Sequence, residues 1–297
     1  MKVSGFSFVR DAVRLDFPLV EAVTSVLPIC DEFFIAVGDC SDGTVELLES
    51  IDSKKLNIIH TTWDPKLFVR GAINAQQTNV ALGRCTGDWA FYIQADEVLH
   101  EKYHSTVLEQ MEKNLERREV EGLLFDYVHF WGSYDRYHTS HNWYSKEVRV
   151  IRNGIGTKSW RSAQSFRNDG RKLKVVHSGA EIYHYGWVRD PAVMKTKQKA
   201  LDSLHHDKDW VDRKHPEPEG AELDYGDLRK LAKFTGTHPA VMEKRITSKS
   251  WAAPLEGKKI ARAKHKHETL RMRLLTFLEN KILGRKVAEG KNYILLR

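Results

Sequence analysis

Only three cysteines, Cys30, Cys40 and Cys85, occur in the 297 residues of this chain. They cannot all pair with one another and match no metal-binding spacing. A disulfide scaffold and a zinc module are therefore excluded, and a reducing compartment is expected. No apolar run approaches the roughly 20 residues that cross a bilayer. The opening, MKVSGFSFVRDAV, lacks the long apolar stretch of an export signal, so a cytoplasmic protein is expected. The first strand is followed by no G-x-G-x-x-G, which argues against a dinucleotide oxidoreductase. VSGFSFVRDAV also supplies no glycine-rich phosphate loop, which argues against a sugar-nucleotide pyrophosphorylase.

Hydrophobic residues make up 41% of the chain, charged residues 29% and aromatics 10%, which excludes wholesale disorder and low-complexity architectures. The length suits one large domain or two small ones, with about three quarters of the unfolded surface buried. The net charge of +7 is local: Lys258, Lys259, Arg262, Lys264, Lys266, Arg271 and Arg273 face the single acid Glu268 in one segment, and the remainder is almost neutral. Such a segment suits a solvated helix face or a peripheral contact with an anionic membrane surface. No nucleic-acid partner is expected.

Through about residue 100, strands and helices alternate. Val3 to Val9 predicts a strand. Pro18 to Leu27 predicts a helix, with Leu19, Ala22, Val23, Val26 and Leu27 on one face. Phe33 to Val37, Leu56 to Ile59 and Trp89 to Ile93 predict three more strands, the first short enough to be a buried parallel one. Asn74 to Leu82 predicts another helix. Further on, Leu123 to Phe125, Val148 to Ile151 and Ile182 to His184 predict short strands. Asp190 before Pro191 predicts a capped helix running to about His206. The breaker-rich KHPEPEG of residues 214–220 sets the expected boundary between a core at 1–213 and a helical, basic extension at 214–297.

This alternation predicts an α/β fold with a mostly parallel sheet flanked by helices. Such sheets bind ligands beyond the carboxyl ends of their strands. Three polar clusters sit at those ends: Arg10 with Asp11, Asp39, and Asp96 with Glu97. A carboxylate straight after a buried strand is held rigidly at the sheet edge, as a hard divalent cation shared with substrate phosphates requires. Asp96 is the better candidate ligand and Glu97 the second. A capped turn accounts for the same residues in a purely structural reading.

Together the segments SFVRDAVRLDFPLVEAVTSVLP, GDCSDGT, TNVALGRCTGDWAFYIQADE and IYHYGWVRDPAVMKTKQKAL, in this order, resemble the motifs of family 2 glycosyltransferases of the GT-A fold. The resemblance covers about Val3 to Arg213. It implies transfer of a sugar from a nucleoside-diphosphate sugar to a hydroxyl of a glycan or lipid-linked acceptor, with inversion and with Mg2+ or Mn2+ as cofactor. By position it places Phe8, Val9, Arg10, Asp11, Asp39, Asn79, Gln94, Asp96 and Lys195 at the nucleotide sugar, and Asp96, Glu97 and His184 at the metal. Lys197 is a second candidate for the leaving diphosphate. Gln94 stands where the family's first aspartate is usual, bringing an amide without charge. Gln164 and Ser165 stand near the slot of the usual catalytic base, and neither is a good base at neutral pH. Asp169 and Asp135 are then the candidate bases, with Glu181 and Glu147 close by. Trp131, Tyr134, Trp160 and Gln164 are candidates for the acceptor side, where aromatic faces stack on sugars. The alternative is a catalytically degenerate module of the same fold that binds glycans or scaffolds a synthesis complex.

Overall fold

The computed structural model describes residues 1–218, 220–256, 264–284, 286–287 and 291–296; Lys258, Lys259 and Arg262 of the basic segment lie outside the described residues. The chain runs β1 (Val3–Val9), α1 (Leu19–Val26), β2 (Glu32–Val37), α2 (Thr44–Glu49), β3 (Leu56–His60), α3 (Ala72–Leu82), β4 (Trp89–Tyr92), β5 (Glu97–Leu99) and α4 (His104–Lys113). It continues β6 (Gly122–Trp131), β7 (Arg136–His138), β8 (Lys146–Arg152), β9 (Thr157–Trp160), β10 (Ser165–Asn168), β11 (Arg171–Trp187), α5 (Pro191–Ser203) and α6 (Lys208–Lys214). Last come β12 (Ala232–Lys233), α7 (Glu243–Thr247), α8 (Leu270–Phe277), its wider continuation Leu278–Leu283, and β13 (Tyr293–Leu295).

The sheet is ordered β3-β2-β1-β4-β8-β6-β11-β10-β9. Strands β3, β2, β1 and β4 are parallel, so their carboxyl ends share one edge. They are joined through helices, as parallel neighbours must be. Beyond β4 the expected mostly parallel sheet gives way to a mixed one. There β8 runs antiparallel to β4 and β6, while β9, β10 and β11 meander antiparallel. Short turns join β9 to β10 and β10 to β11, and tight turns join only antiparallel strands, whereas β6 and β11, separated by several elements, pair parallel. The predicted three-residue strand at Ile182 to His184 is the end of a 17-residue strand, and Leu123 to Phe125 belongs to a ten-residue one.

Helix α1 buries Leu19, Ala22, Val23 and Val26, the face that its spacing predicts. Phe6, Phe33, Trp89, Phe91, Phe125 and Phe166 are wholly buried among the strands and helices, each worth roughly 1.5–3 kcal/mol for a large apolar side chain. Beyond residue 214 the chain returns to the sheet. Strand β12 pairs with β7, β13 adds to β11 at Leu173–Val175, and Arg245 reaches Asp16 at 2.6 Å and Glu21 at 3.0 Å.

Candidate active site

The shared carboxyl edge of β1 to β4 opens into a crevice of about 430 Å3. The end of β1 contributes Phe8, Val9, Arg10 and Asp11, the loop after β3 contributes Trp63, and the turn after β4 contributes Gln94, Ala95 and Asp96. His184 near the end of β11 and Lys197 on α5 line it from the opposite side.

Beneath Asp96 lies a buried ion pair. Arg149 donates Nε and Nη2 to the two oxygens of Glu97 at 2.8 and 2.7 Å, and neither side chain is exposed. Glu97 also accepts from Tyr127 Oη at 2.8 Å and from the Gln94 backbone at 3.1 Å. The Arg149 guanidinium lies 5.3 Å from the ring centres of both Tyr92 and Tyr127. With the oxygens of Glu97 turned to these partners, the pair locks the turn that presents its neighbour Asp96. Glu97, expected as the second metal ligand, thus has both oxygens engaged and does not line the crevice.

Asp96 is nearly buried, and its Oδ2 accepts from Lys197 Nζ at 2.8 Å. Lys197 also donates to Gly186 O at 2.8 Å, a carbonyl shared with Arg189 at 2.6 Å. Burial opposes the charge of Asp96, but Lys197 beside it, helped by Arg189, holds the carboxyl well below the usual range. Burial, with Arg189 adding to it, pushes Lys197 down to about 8 against the pull of Asp96. Helix phase selects this lysine. Met194 and Lys197, three residues apart, are the buried positions of α5, whereas Lys195 points outward to Glu217 at 2.8 Å. Of the two lysines expected at the leaving diphosphate, Lys197 lines the crevice and Lys195 does not.

Hydrogen bonds set the tautomer of His184. His129 Nε2 lies 2.7 Å from the carbonyl of Tyr144 and must carry the proton. Burial drives both imidazoles toward the neutral form, so His129 Nδ1 accepts from His184 Nδ1 at 3.1 Å. The Nε2 of His184 is left with a bare lone pair, 3.8 Å from Asp96 Oδ1. Two acceptors facing one another suit a cation between them. A β-carbon at Gly186 would stand 2.6 Å from His184 Nε2 and 2.8 Å from Asp96 Oδ2, so glycine keeps this space open. The imidazole-plus-carboxylate donor set fits Mn2+ or Mg2+, with substrate phosphates and water completing the shell. Among the described residues the other grouping of potential ligands is Asp11, Cys40 and Asp42, where Arg14 binds Asp11 and Asp42, and Thr44 binds Asp42.

At the other end of the crevice an aromatic slot forms from Phe8, Trp63 and Phe68. Trp63 packs on Gly38, where a β-carbon would stand 2.4 Å from its indole nitrogen. Asp39 accepts from the Trp63 backbone at 3.1 Å, and its own carbonyl accepts from Arg10 Nε at 3.1 Å. It thus props the slot at the rim without lining it. Asn74 lines the crevice, and its buried Oδ1 has no partner among the described residues. Gln94 spends its amide nitrogen on Tyr92 Oη and Ala163 O.

Other expected site residues stand elsewhere. Asn79 accepts from the Ser159 backbone at 2.8 Å and faces β9. Asp169 is exposed, with φ of 47°, on the turn between β10 and β11, and Asp135 is exposed on the turn before β7, bound by Ser133 Oγ. Short hairpins carry both carboxylates away from the crevice. Trp131 is buried, donates to Tyr225 O at 2.9 Å and stacks on Trp187, which does line the crevice. Tyr134 is buried among Tyr185 and His238. Trp160 lies on the surface between Arg161 and Arg167, and Gln164 donates to Glu147 at 3.0 Å. Sequence reasoning missed Trp63, Phe68 and Asn74. A lone aromatic just after the third parallel strand was the available signal for Trp63, since it obeys the same strand-end rule as Asp96.

No protein-family model matches the chain, and no curated protein matches it. Among solved structures it is similar to S. aureus TarS at 14% identity, over 72% of this chain and 42% of that one, with a TM-score of 0.39. The mannosyltransferase PcManGT of Pyrobaculum calidifontis, in complex with GDP-Man and Mn2+, is similar at 19% identity over 43% of this chain and 36% of that one, with a TM-score of 0.32. Glucosyl-3-phosphoglycerate synthase of Mycobacterium tuberculosis, in complex with Mn2+, UDP and phosphoglyceric acid, is similar at 13% identity over 44% and 43%, with a TM-score of 0.30. The matched region spans less than half the length of each of these three chains.

Proposed function

We propose that the protein is a glycosyltransferase that moves a sugar from a nucleoside-diphosphate sugar to an acceptor hydroxyl. One observation carries this reading: an aromatic slot of Phe8, Trp63 and Phe68 and a polar centre of Asp96, His184 and Lys197, whose two facing acceptors suit a cation, line one crevice at the parallel strands' carboxyl edge. A nucleoside diphosphate needs both, a flat apolar surface for its base and cationic charge for its phosphates. Phe8, Trp63 and Phe68 would take the base, with Asn74 Oδ1 accepting a hydrogen bond from it or its ribose. Lys197 and Arg10 would face the diphosphate.

The reaction fitting this arrangement is a single displacement with inversion. The acceptor oxygen attacks the anomeric carbon, the bond to the diphosphate oxygen breaks and its electron pair leaves with the nucleoside diphosphate, and the hydroxyl proton passes to water at the open mouth of the crevice. Lys197 stabilises the charge on the departing oxygen. Asp96 and His184 would hold Mg2+ or Mn2+, whose chemistry there is to neutralise the leaving phosphates. The acceptor class is a glycan or a lipid-linked sugar, met at the Trp187 side of the crevice.

Titration calorimetry with UDP-, GDP- and dTDP-sugars, with and without Mn2+, tests the reading. At least one donor binds the parent protein, and Asp96→Asn removes the Mn2+ dependence while circular dichroism stays unchanged. Absence of binding by every donor refutes it. The second reading, a binding module without turnover, is favoured by Gln94 and by the position of Asp135 and Asp169 outside the crevice. Donor binding without hydrolysis or transfer to any acceptor would select it.

A further inference from the structure

We propose that the carboxy-terminal helix docks the protein on an anionic lipid bilayer. Three features of the helix and its surroundings lead to this reading. First, α8 and its wider continuation are fastened by their polar side. The His141 backbone donates to Thr276 Oγ1 at 3.0 Å, His141 Nδ1 meets Glu279 at 2.7 Å, and Glu279 is buried. Fixing that side turns the other outward.

Second, the outward side is apolar to an unusual degree. Leu270 is 82% exposed, Leu274 58%, Phe277 56% and Ile282 64%, and Leu283 is exposed beside them. The spacing of Leu270, Leu274 and Phe277 at i, i+4 and i+7 forms one stripe. Solvated surfaces seldom gather so many large apolar side chains in one place.

Third, the charges interleaved with that stripe have one sign. Lys264, Lys266, Arg271, Arg273 and Lys281 are exposed, and among the described residues none is paired with a carboxylate. The two acids of this stretch are engaged elsewhere, Glu279 with His141 and Glu268 with the His265 backbone. A cavity of about 380 Å3 beside the helix, lined by Arg273 and Lys281 and, on its other side, by Asp227 paired with Lys230 at 3.5 Å, offers headgroup phosphates a place next to the stripe. Apolar side chains for the acyl boundary, cations for the phosphates and no free anion to repel them are what an interfacial helix presents. This inference is independent of the sugar-transfer reading, since its test needs no donor.

The test is sedimentation of the whole protein with vesicles of phosphatidylcholine alone and of phosphatidylcholine with phosphatidylglycerol. Binding is expected to the second and not to the first, and to fall as salt is raised. Each cation near an anionic surface contributes about fivefold to binding, so Arg271→Gln with Arg273→Gln and Lys281→Gln lowers affinity roughly a hundredfold. Leu274→Ser with Phe277→Ser, both surface changes, lowers it as well. Lys158→Gln with Lys172→Gln and Lys244→Gln, which removes equal charge elsewhere, leaves it nearly unchanged. No binding, equal binding to both vesicles, or equal loss with the control triple overturns the proposal. So does a lipid-free dimer that Leu274→Ser with Phe277→Ser dissolves, which would assign the face to a second copy of the chain.

Discussion

Glu147→Gln isolates the cost of one buried carboxyl beneath the candidate site. Glu147 is 2% exposed; its Oε1 accepts from Gln164 and Asn292, and its Oε2 has no partner among the described residues. Burial pushes its carboxyl from the ordinary 4.5 up to about 7, against the opposing pull of Arg149. The folded protein therefore holds this proton more tightly than the unfolded chain. The stability this contributes is complete below pH 4.5, is lost as pH rises through 7, and is absent above. The difference between 4.5 and about 7 corresponds to about 3 kcal/mol. The amide keeps the Oε1 acceptor and does not titrate. Relative to the parent, Glu147→Gln should gain about 3 kcal/mol between pH 4 and pH 8. A constant offset of about 1 kcal/mol, from the amide N–H left without an acceptor, opposes this at every pH. Urea denaturation midpoints of both proteins across that range measure the swing. A difference independent of pH, or one that falls as pH rises, refutes the assignment of a raised carboxyl.

Lys197→Met should strand the Asp96 carboxylate, at a cost of about 3–5 kcal/mol for breaking a buried pair, and weaken nucleotide-sugar binding at least tenfold; denaturation and calorimetry read the two effects separately. Gly186→Ala should push the His184 ring off its place, because the added carbon would lie 2.6 Å from Nε2, and Mn2+ titration followed by electron paramagnetic resonance should then show weaker binding in a folded protein. Asn74→Ala should lower donor affinity several-fold while Asn79→Ala, whose partner is the Ser159 backbone, should not.

Strands β2 and β4 were legible because strands covered on both faces read as apolar runs, as Phe33–Val37 and Trp89–Tyr92 do; β1 was legible from Val3, Phe6, Phe8 and Val9, and the half-exposed β3 from Leu56, Ile58 and Ile59. Strand β11 was legible only at its end. Its first half alternates buried Leu173 and Val175 with exposed Lys172 and Lys174, and a bulge between His177 and Glu181 breaks the period. In the site, Asp96 and His184 follow from strand ends and order of motifs. The choice of Lys197 over Lys195 depends on helix phase, which Met194 three residues earlier reveals only once its own burial is known. The inward turn of Glu97 was hidden because its partner Arg149 is 52 residues away, a pairing no local pattern encodes.

Strand β11 connects two places that are far apart in the chain. Leu173 to Val175 hold the last strand, Tyr293–Leu295, while the opposite end carries His184 and its neighbour Gly186. Residues Tyr293–Leu295 thus act as a clasp on the same ribbon that supports the imidazole. Trimming them would expose β11 to fraying from its far end and slacken the grip on the crevice without touching a single side chain there.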